Sequence, residues 1–179
     1  CIDNLTTIIG KNDIGKSSIL EALEIFFNNE TVKIDPTDVN IYSGDNKTVS
    51  ITCDFTCLPE SPILDAEAET NLAEEYLTID EDTLRIKKQF DCSKAKPTES
   101  VVIIANHPQL EGMDSLLSLK ESELKKIVKD NGIVSPLSGN PKMRKNIWNY
   151  FGAEAKLQET EIPITLAGTK NIWSQLQKY

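Results

Sequence analysis

The run Gly10-Lys11-Asn12-Asp13-Ile14-Gly15-Lys16-Ser17 constrains this chain more than any other part of it. It fits the spacing G-x-x-x-x-G-K-[ST]. Before it stands a short β-type run, Leu5 to Ile9; after it, Ile19, Leu20, Leu23, Phe26 and Phe27 recur on one face of a 3.6-residue period. Strand, glycine loop and helix in that order predict an α/β fold. Glycines let the loop wrap with its N–H groups inward, and the start of the following helix adds a positive dipole end, so a polyphosphate meets oriented donors. Lys16 is expected to reach the β- and γ-phosphates and to be the catalytic residue of the loop. Ser17 is expected to ligate Mg2+, a hard cation that wants an oxygen ligand there. Ser18 is placed to contact the α-phosphate. Gly10, Lys11, Asn12, Asp13, Ile14 and Gly15 complete the cradle, with Asn12 and Asp13 on its outer turn, where Asx side chains brace the backbone.

Beyond the loop, Asn28-Asn29 is expected to end the helix, and Asp35-Pro36 forbids its continuation, because the residue before proline is pushed out of the helical region. Val49, Ile51, Cys53, Phe55 and Cys57 alternate with Ser50, Thr52, Asp54 and Thr56, which predicts a half-buried strand. Leu84, Ile86 and Phe90 alternate with Arg85, Lys87 and Gln89 in a second, and Val101 to Ala105 reads as a third, more buried strand. Met113, Leu116, Leu117, Leu124, Ile127 and Val128 then form a helical stripe. A Gly/Ser/Pro loop from Gly132 to Pro141 leads to Met143, Ile147, Trp148 and Phe151, followed by a last strand at Ile162 to Leu166 and a helix from Asn171 to Tyr179. The expected organisation is a phosphate-binding core over 1–58, an acidic helical insertion over 59–82, antiparallel strands over 83–106 and a mainly helical region over 107–179.

Charge is unevenly placed. The chain carries 28 acidic and 19 Lys/Arg residues, a formal net charge of −9. Nine of the acids and no base lie between Pro59 and Asp82, and outside that segment the two signs balance. There Leu64, Ala68, Leu72, Ala73 and Tyr76 recur at helical spacing, so the segment reads as a solvated helix face, or else as a docking surface for a basic partner. From Lys120 to Lys145 the balance reverses to seven bases against three acids. That stretch is the one candidate nucleic-acid face, against the plainer reading of an ordinary charged helix surface. No apolar run approaches the ~20 residues that span a bilayer. Four cysteines are too few for a disulfide framework, which suits a cytoplasmic setting. Cys53 and Cys57, about 13 Å apart at roughly 3.3 Å per residue of strand, read as small buried hydrophobes. Trp148 and Trp173 read as packing anchors.

The stretch Ile8 to Phe27 (IIGKNDIGKSSILEALEIFF) resembles the Walker A region of ABC-type ATPase heads of the RecF and SMC kind, and most closely that of the overcoming-lysogenization-defect (OLD) family ATPases. The resemblance implies ATP with Mg2+, an N-terminal P-loop NTPase lobe with an antiparallel β subdomain and a helical region, and dimerisation of heads around ATP. It also implies a larger protein that processes DNA, with a nuclease or coiled coil beyond this stretch, often in phage defence. Absence of the N-K-x-D guanine reader agrees with ATP, since Asn46-Lys47 is followed by Thr48-Val49.

Parts of the head pattern are missing from the sequence. Val101 to Ile104 runs into Ala105-Asn106 and not into the Asp-Glu pair that ends a Walker B strand. Leu137-Ser138-Gly139 is similar to the L-S-G-G-Q signature only until Asn140-Pro141. His107 is expected to be an ordinary loop residue beside Pro108, and Gln109 stands where a Q-loop glutamine could reach Mg2+. The expectation is a lobe that binds ATP and by itself hydrolyses little. Rival readings are a small-molecule or nucleoside kinase, which needs an arginine-rich lid where this chain has only Arg85 and Arg144, and a repair ATPase of the SMC/RecF kind without a nuclease.

Overall fold

The computed structural model describes residues 6–11, 15–27, 30–58, 72–109, 116–152 and 156–164. Helix α1 spans Lys16–Phe27, strands β1 Thr48–Phe55, β2 Leu84–Asp91 and β3 Thr98–Gln109, helices α2 Glu121–Asp130 and α3 Asn140–Phe151, and strand β4 Lys156–Ile164, with 3-10 turns at Pro36–Asp38 and Leu116–Ser118. The chain divides into two compact units, one of 1–51 with 89–99, the other of 52–88 with 100–179. Among the described residues no helix is long and apolar enough to cross a membrane.

The four strands form a sheet in the order β1-β2-β3-β4. Lys47, just before β1, accepts a backbone bond from Cys92, just after β2, while Asp54 near the end of β1 holds Arg85 near the start of β2; the pair is therefore antiparallel. Only six residues join β2 to β3, too few for the crossover a parallel pair needs. β3 and β4 are antiparallel from Val101 opposite Ile164 to Gln109 opposite Lys156. The expected alternation holds in β1, where Val49, Ile51, Cys53 and Phe55 are half-buried and the residues between them exposed. In β2, Leu84, Ile86 and Phe90 are buried as expected, and Lys88 is buried in the same row. On the opposite side of β2, Arg85 grips Asp54 through two bonds of 2.7 and 2.8 Å, and Lys87 reaches Glu161 of β4 at 2.7 Å. Such partly exposed pairs contribute about 0–1 kcal/mol each.

Three sequence expectations are corrected here. Of the β-type run before the glycine loop, Leu5 lies outside the described residues and Thr6 to Ile9 are not part of a strand, with Ile9 87% exposed. His107 is not in a loop. β3 continues past Ala105 to Gln109 because β4 goes on pairing with it, and His107 is buried on the same side as Val101, Ile103 and Ala105. Cys57 lies beyond the end of β1, exposed and at a positive φ of 58°, so it is not a buried hydrophobe; Cys53 is half-buried.

The helical region has its own core of Leu116, Leu124, Val128, Ile133, Met143, Ile147 and Trp148, with Tyr76, Leu119, Ile127 and Phe151 packed against it. The expected stripe splits into a 3-10 turn holding Leu116 and helix α2 holding Leu124 and Val128; Met113 lies outside the described residues. α2 is started by Glu123, whose carboxylate accepts the Lys120 amide at 2.7 Å. It is ended by Gly132 at φ 63°, with Gly132 N–H bonded to the Lys129 carbonyl and Ile133 N–H to that of Val128. That paired 5→2 and 6→1 pattern closes a helix around a left-handed residue. α3 begins at Asn140 with Pro141 in its first turn, so the last two residues of the expected loop, Asn140 and Pro141, are already helical.

The same closing pattern recurs over 72–77. Tyr76 N–H bonds the Ala73 carbonyl, Leu77 N–H bonds that of Leu72, and Tyr76 takes the left-handed place at φ 54°. Of the proposed acidic helix, Leu64 and Ala68 lie outside the described residues, and the described end is a turn. Nor are its acids all solvated. Glu75 is buried against Arg144 through three hydrogen bonds of 2.9–3.1 Å, their side chains 3% and 5% exposed, and Glu74 meets Lys145 at 2.7 Å. The Tyr76 ring stands edge-on to Trp148 at 5.7 Å, and His107 donates from Nδ1 to the Tyr76 carbonyl at 3.0 Å while its own ring meets Trp148 at 5.1 Å. Trp148 is the packing anchor expected; Trp173 lies outside the described residues.

Candidate functional site

Gly15 takes φ 85°, a conformation open to glycine, and a Cβ placed there would meet nothing within 4 Å. Its carbonyl accepts the Ile19 amide at 3.2 Å, the first turn-closing bond of α1. The amides of Lys16, Ser17 and Ser18 therefore precede the helical ladder, as at any helix start, and the first turn carries no acidic residue. Lys16 sits where its ammonium crosses back over the loop. Its Nζ donates to the Gly10 carbonyl at 2.9 Å and to that of Lys11 at 2.5 Å, joining the entry of the loop to its exit. Lys11, Ser17 and Ser18 are exposed. Asn12, Asp13 and Ile14 lie outside the described residues.

This donor set fits a nucleoside polyphosphate with Mg2+. An ammonium, helix-start amides and two exposed hydroxyls lie within one short stretch, and no described carboxylate in it would repel an anion. No group of three or more His, Cys, Asp or Glu among the described residues is arranged to hold a metal alone. A cation here would have to share its ligands with phosphate oxygens, which is how Mg2+ commonly binds. Gln109 closes β3 and belongs to the other unit, where its amide nitrogen donates to Thr160 Oγ1 at 2.8 Å. Nothing in the sequence singled out Thr160 as its partner, because the pairing depends on the β3–β4 register.

The remaining candidates are partly spent on the fold. Of the seven bases from Lys120 to Lys145, Arg144 is buried with Glu75, Lys145 holds Glu74 and Lys125 holds Glu121 at 2.5 Å. The acidic and the basic segments thus neutralise each other in part, which narrows the nucleic-acid reading. Both arginines are committed, Arg85 to Asp54 and Arg144 to Glu75, so neither serves as a lid over a phosphoryl group. Ser138 and Gly139 lead into α3, with Gly139 at φ 82° supplying the turn before the helix.

A family model described as AAA ATPase domain matches residues 1–179. No curated protein and no solved structure matches the chain.

Proposed function

The chain belongs to the AAA ATPase domain family, an ABC/AAA-type P-loop ATPase assignment that carries nucleotide binding with it, and from that premise we propose that Gly10 to Ser18 is its ATP site. Lys16 meets the β- and γ-phosphates, Ser17 ligates Mg2+, and Ser18 and the loop amides hold the remaining phosphate oxygens. The observation that carries this reading is the Gly15–Lys16 junction: a left-handed glycine starts α1 and the next side chain returns its ammonium to the loop. When bound, Mg·ATP supplies a cleavable phosphoanhydride; the chain's own part is to orient the phosphates and offset their charge.

We further propose that hydrolysis requires a second head, and that the complete protein is an OLD-like DNA-processing enzyme in the cytoplasm whose nuclease the ATPase regulates. Support for an incomplete lobe comes from α1. Of its apolar stripe Phe26 is buried, whereas Ile19, Leu20 and Phe27 remain about half exposed, a pattern suited to packing against further polypeptide. The kinase reading is weaker, since both arginines are held in ion pairs.

Calorimetric titration with ATP and GTP in the presence of Mg2+, beside a coupled turnover assay, tests the site. ATP-selective binding is expected, weakened roughly ten- to a hundredfold in Lys16→Ala, the worth of about 1.5–3 kcal/mol for a hydrogen bond to a charged group. Turnover by the chain alone should stay near background. Equal affinity in Lys16→Ala would overturn the site, and brisk phosphoryl transfer to a small acceptor would replace the ATPase-lobe reading with the kinase.

A further inference from the structure

The connection between α2 and α3 holds two apolar side chains out in water: Val134 is 95% exposed and Leu137 41%. The loop is braced. Asn146 Nδ2 donates to Ser135 Oγ at 2.9 Å, Ser135 Oγ donates to the Pro136 carbonyl at 3.2 Å, and Ile133 is anchored in the helical core. Apolar groups displayed on a braced loop gain nothing for the fold and stand open to a partner.

Lysines stand at both bases of this loop. Lys126 and Lys129 lie three residues apart on the exposed side of α2, and Lys142 lies in the first turn of α3, with its stem alongside Gly139. Whereas Lys125, Arg144 and Lys145 each hold a carboxylate, these three hold none among the described residues. A phosphate backbone would use the ammonium groups and leave Val134 and Leu137 in water. An anionic membrane takes more than this loop offers, since a segment lying in the headgroup layer buries a whole apolar helix face and here two apolar side chains stand out. Acidic polypeptide uses both features, and α3 already receives exactly such chemistry, with Glu74 and Glu75 on Lys145 and Arg144 and the Tyr76 ring on Trp148.

We propose that the α2–α3 loop is a docking surface for an acidic polypeptide segment with interspersed leucine-type residues. Lys126, Lys129 and Lys142 take its carboxylates; Val134 and Leu137 take its apolar side chains. The site uses no residue of the nucleotide loop, so the proposal stands whether or not that loop binds ATP.

Fluorescence anisotropy of the 179-residue chain with a labelled peptide of glutamates and interspersed leucines tests it, with labelled duplex DNA and phosphatidylserine vesicles as competing probes. Saturable peptide binding that weakens with added salt is expected. It should fall about tenfold in the double variant Lys129→Glu, Lys142→Glu, and several-fold in Val134→Ser, Leu137→Ser, with thermal unfolding unchanged at these exposed positions. No peptide binding, equal binding in both variants, or a preference for DNA or vesicles that the same substitutions abolish would each overturn the proposal.

Discussion

Arg144 illustrates how far a residue's role can depart from its sequence neighbourhood. It sits among lysines that face water, yet its guanidinium is buried and bound to Glu75 from a segment about seventy residues earlier. Removing one partner of a buried pair strands the other charge, so Arg144→Met should destabilise by about 3–5 kcal/mol in urea unfolding. Adding Glu75→Leu should recover most of that loss, since replacing both charges by apolar side chains of similar size is often neutral; no recovery would mean that the pair also sets the local backbone. The cysteines separate in the same way by environment. Burial, then the negative charges of Asp38, Asp91 and Asp35, pushes the Cys92 thiol up, while Cys53 is raised by burial and then by Asp54. Since the thiolate is the reactive form, a disulfide reagent at neutral pH should modify the three described cysteines in order, exposed Cys57 first, Cys53 more slowly and Cys92 only on unfolding. Mass spectrometry of timed samples reads the order, and early labelling of Cys92 would contradict its burial.

At the scale of elements, two turns with one hydrogen-bond pattern show what sequence can and cannot announce. Gly132 ends α2 in the left-handed region where glycine is the expected residue; Tyr76 takes the same place over 72–77 without that freedom. Tyr76 is held there by its ring against Trp148 and its carbonyl on His107, contacts from elements far along the chain. No local rule points to it. Gly132→Ala isolates the backbone contribution, because a Cβ at that position meets nothing within 4 Å. Its cost should be about 1–2 kcal/mol in thermal or urea unfolding, and an unchanged midpoint would show that the left-handed turn is not populated. Strands were legible where burial alternates, as in β1 and β2. They were illegible where pairing overrides composition: Pro108 reads as a breaker, yet β3 carries it opposite Leu157 near its end. Thr6 to Ile9 differ in the reverse direction, having strand composition without a strand's conformation. The glycine loop was legible because its chemistry is local, whereas the bond from Gln109 to Thr160 depends on the register of β4 and leaves no trace in spacing.

For the whole molecule, the net charge of −9 matters less than which carboxylates the fold engages. Among the described residues four aspartates are held below the ordinary value of 3.8, each by hydrogen bonds to its ionised form. The Thr37 amide and then its hydroxyl lower Asp35, and Arg85 lowers Asp54; the Asp82 amide with Thr83 lowers Asp80, and the Ser93 hydroxyl with its amide lowers Asp91. These residues are drawn from both compact units, so their effect is spread over the chain. Where a folded carboxyl lies below its unfolded value, the unfolded chain binds more protons between the two, and stability falls as pH falls. The stabilisation is complete above the ordinary aspartate value and is lost as the pH drops through it toward the depressed ones. Urea midpoints should therefore be nearly level from neutrality to about pH 5 and decline steadily below about pH 4. Asp54→Asn combined with Asp35→Asn removes two of the four groups and should make that decline shallower while lowering the neutral-pH midpoint. A midpoint that rose on acidification would imply that relief of repulsion among the many acids outweighs these local bonds, and would place the control of acid stability in the acidic segment between Pro59 and Asp82 instead.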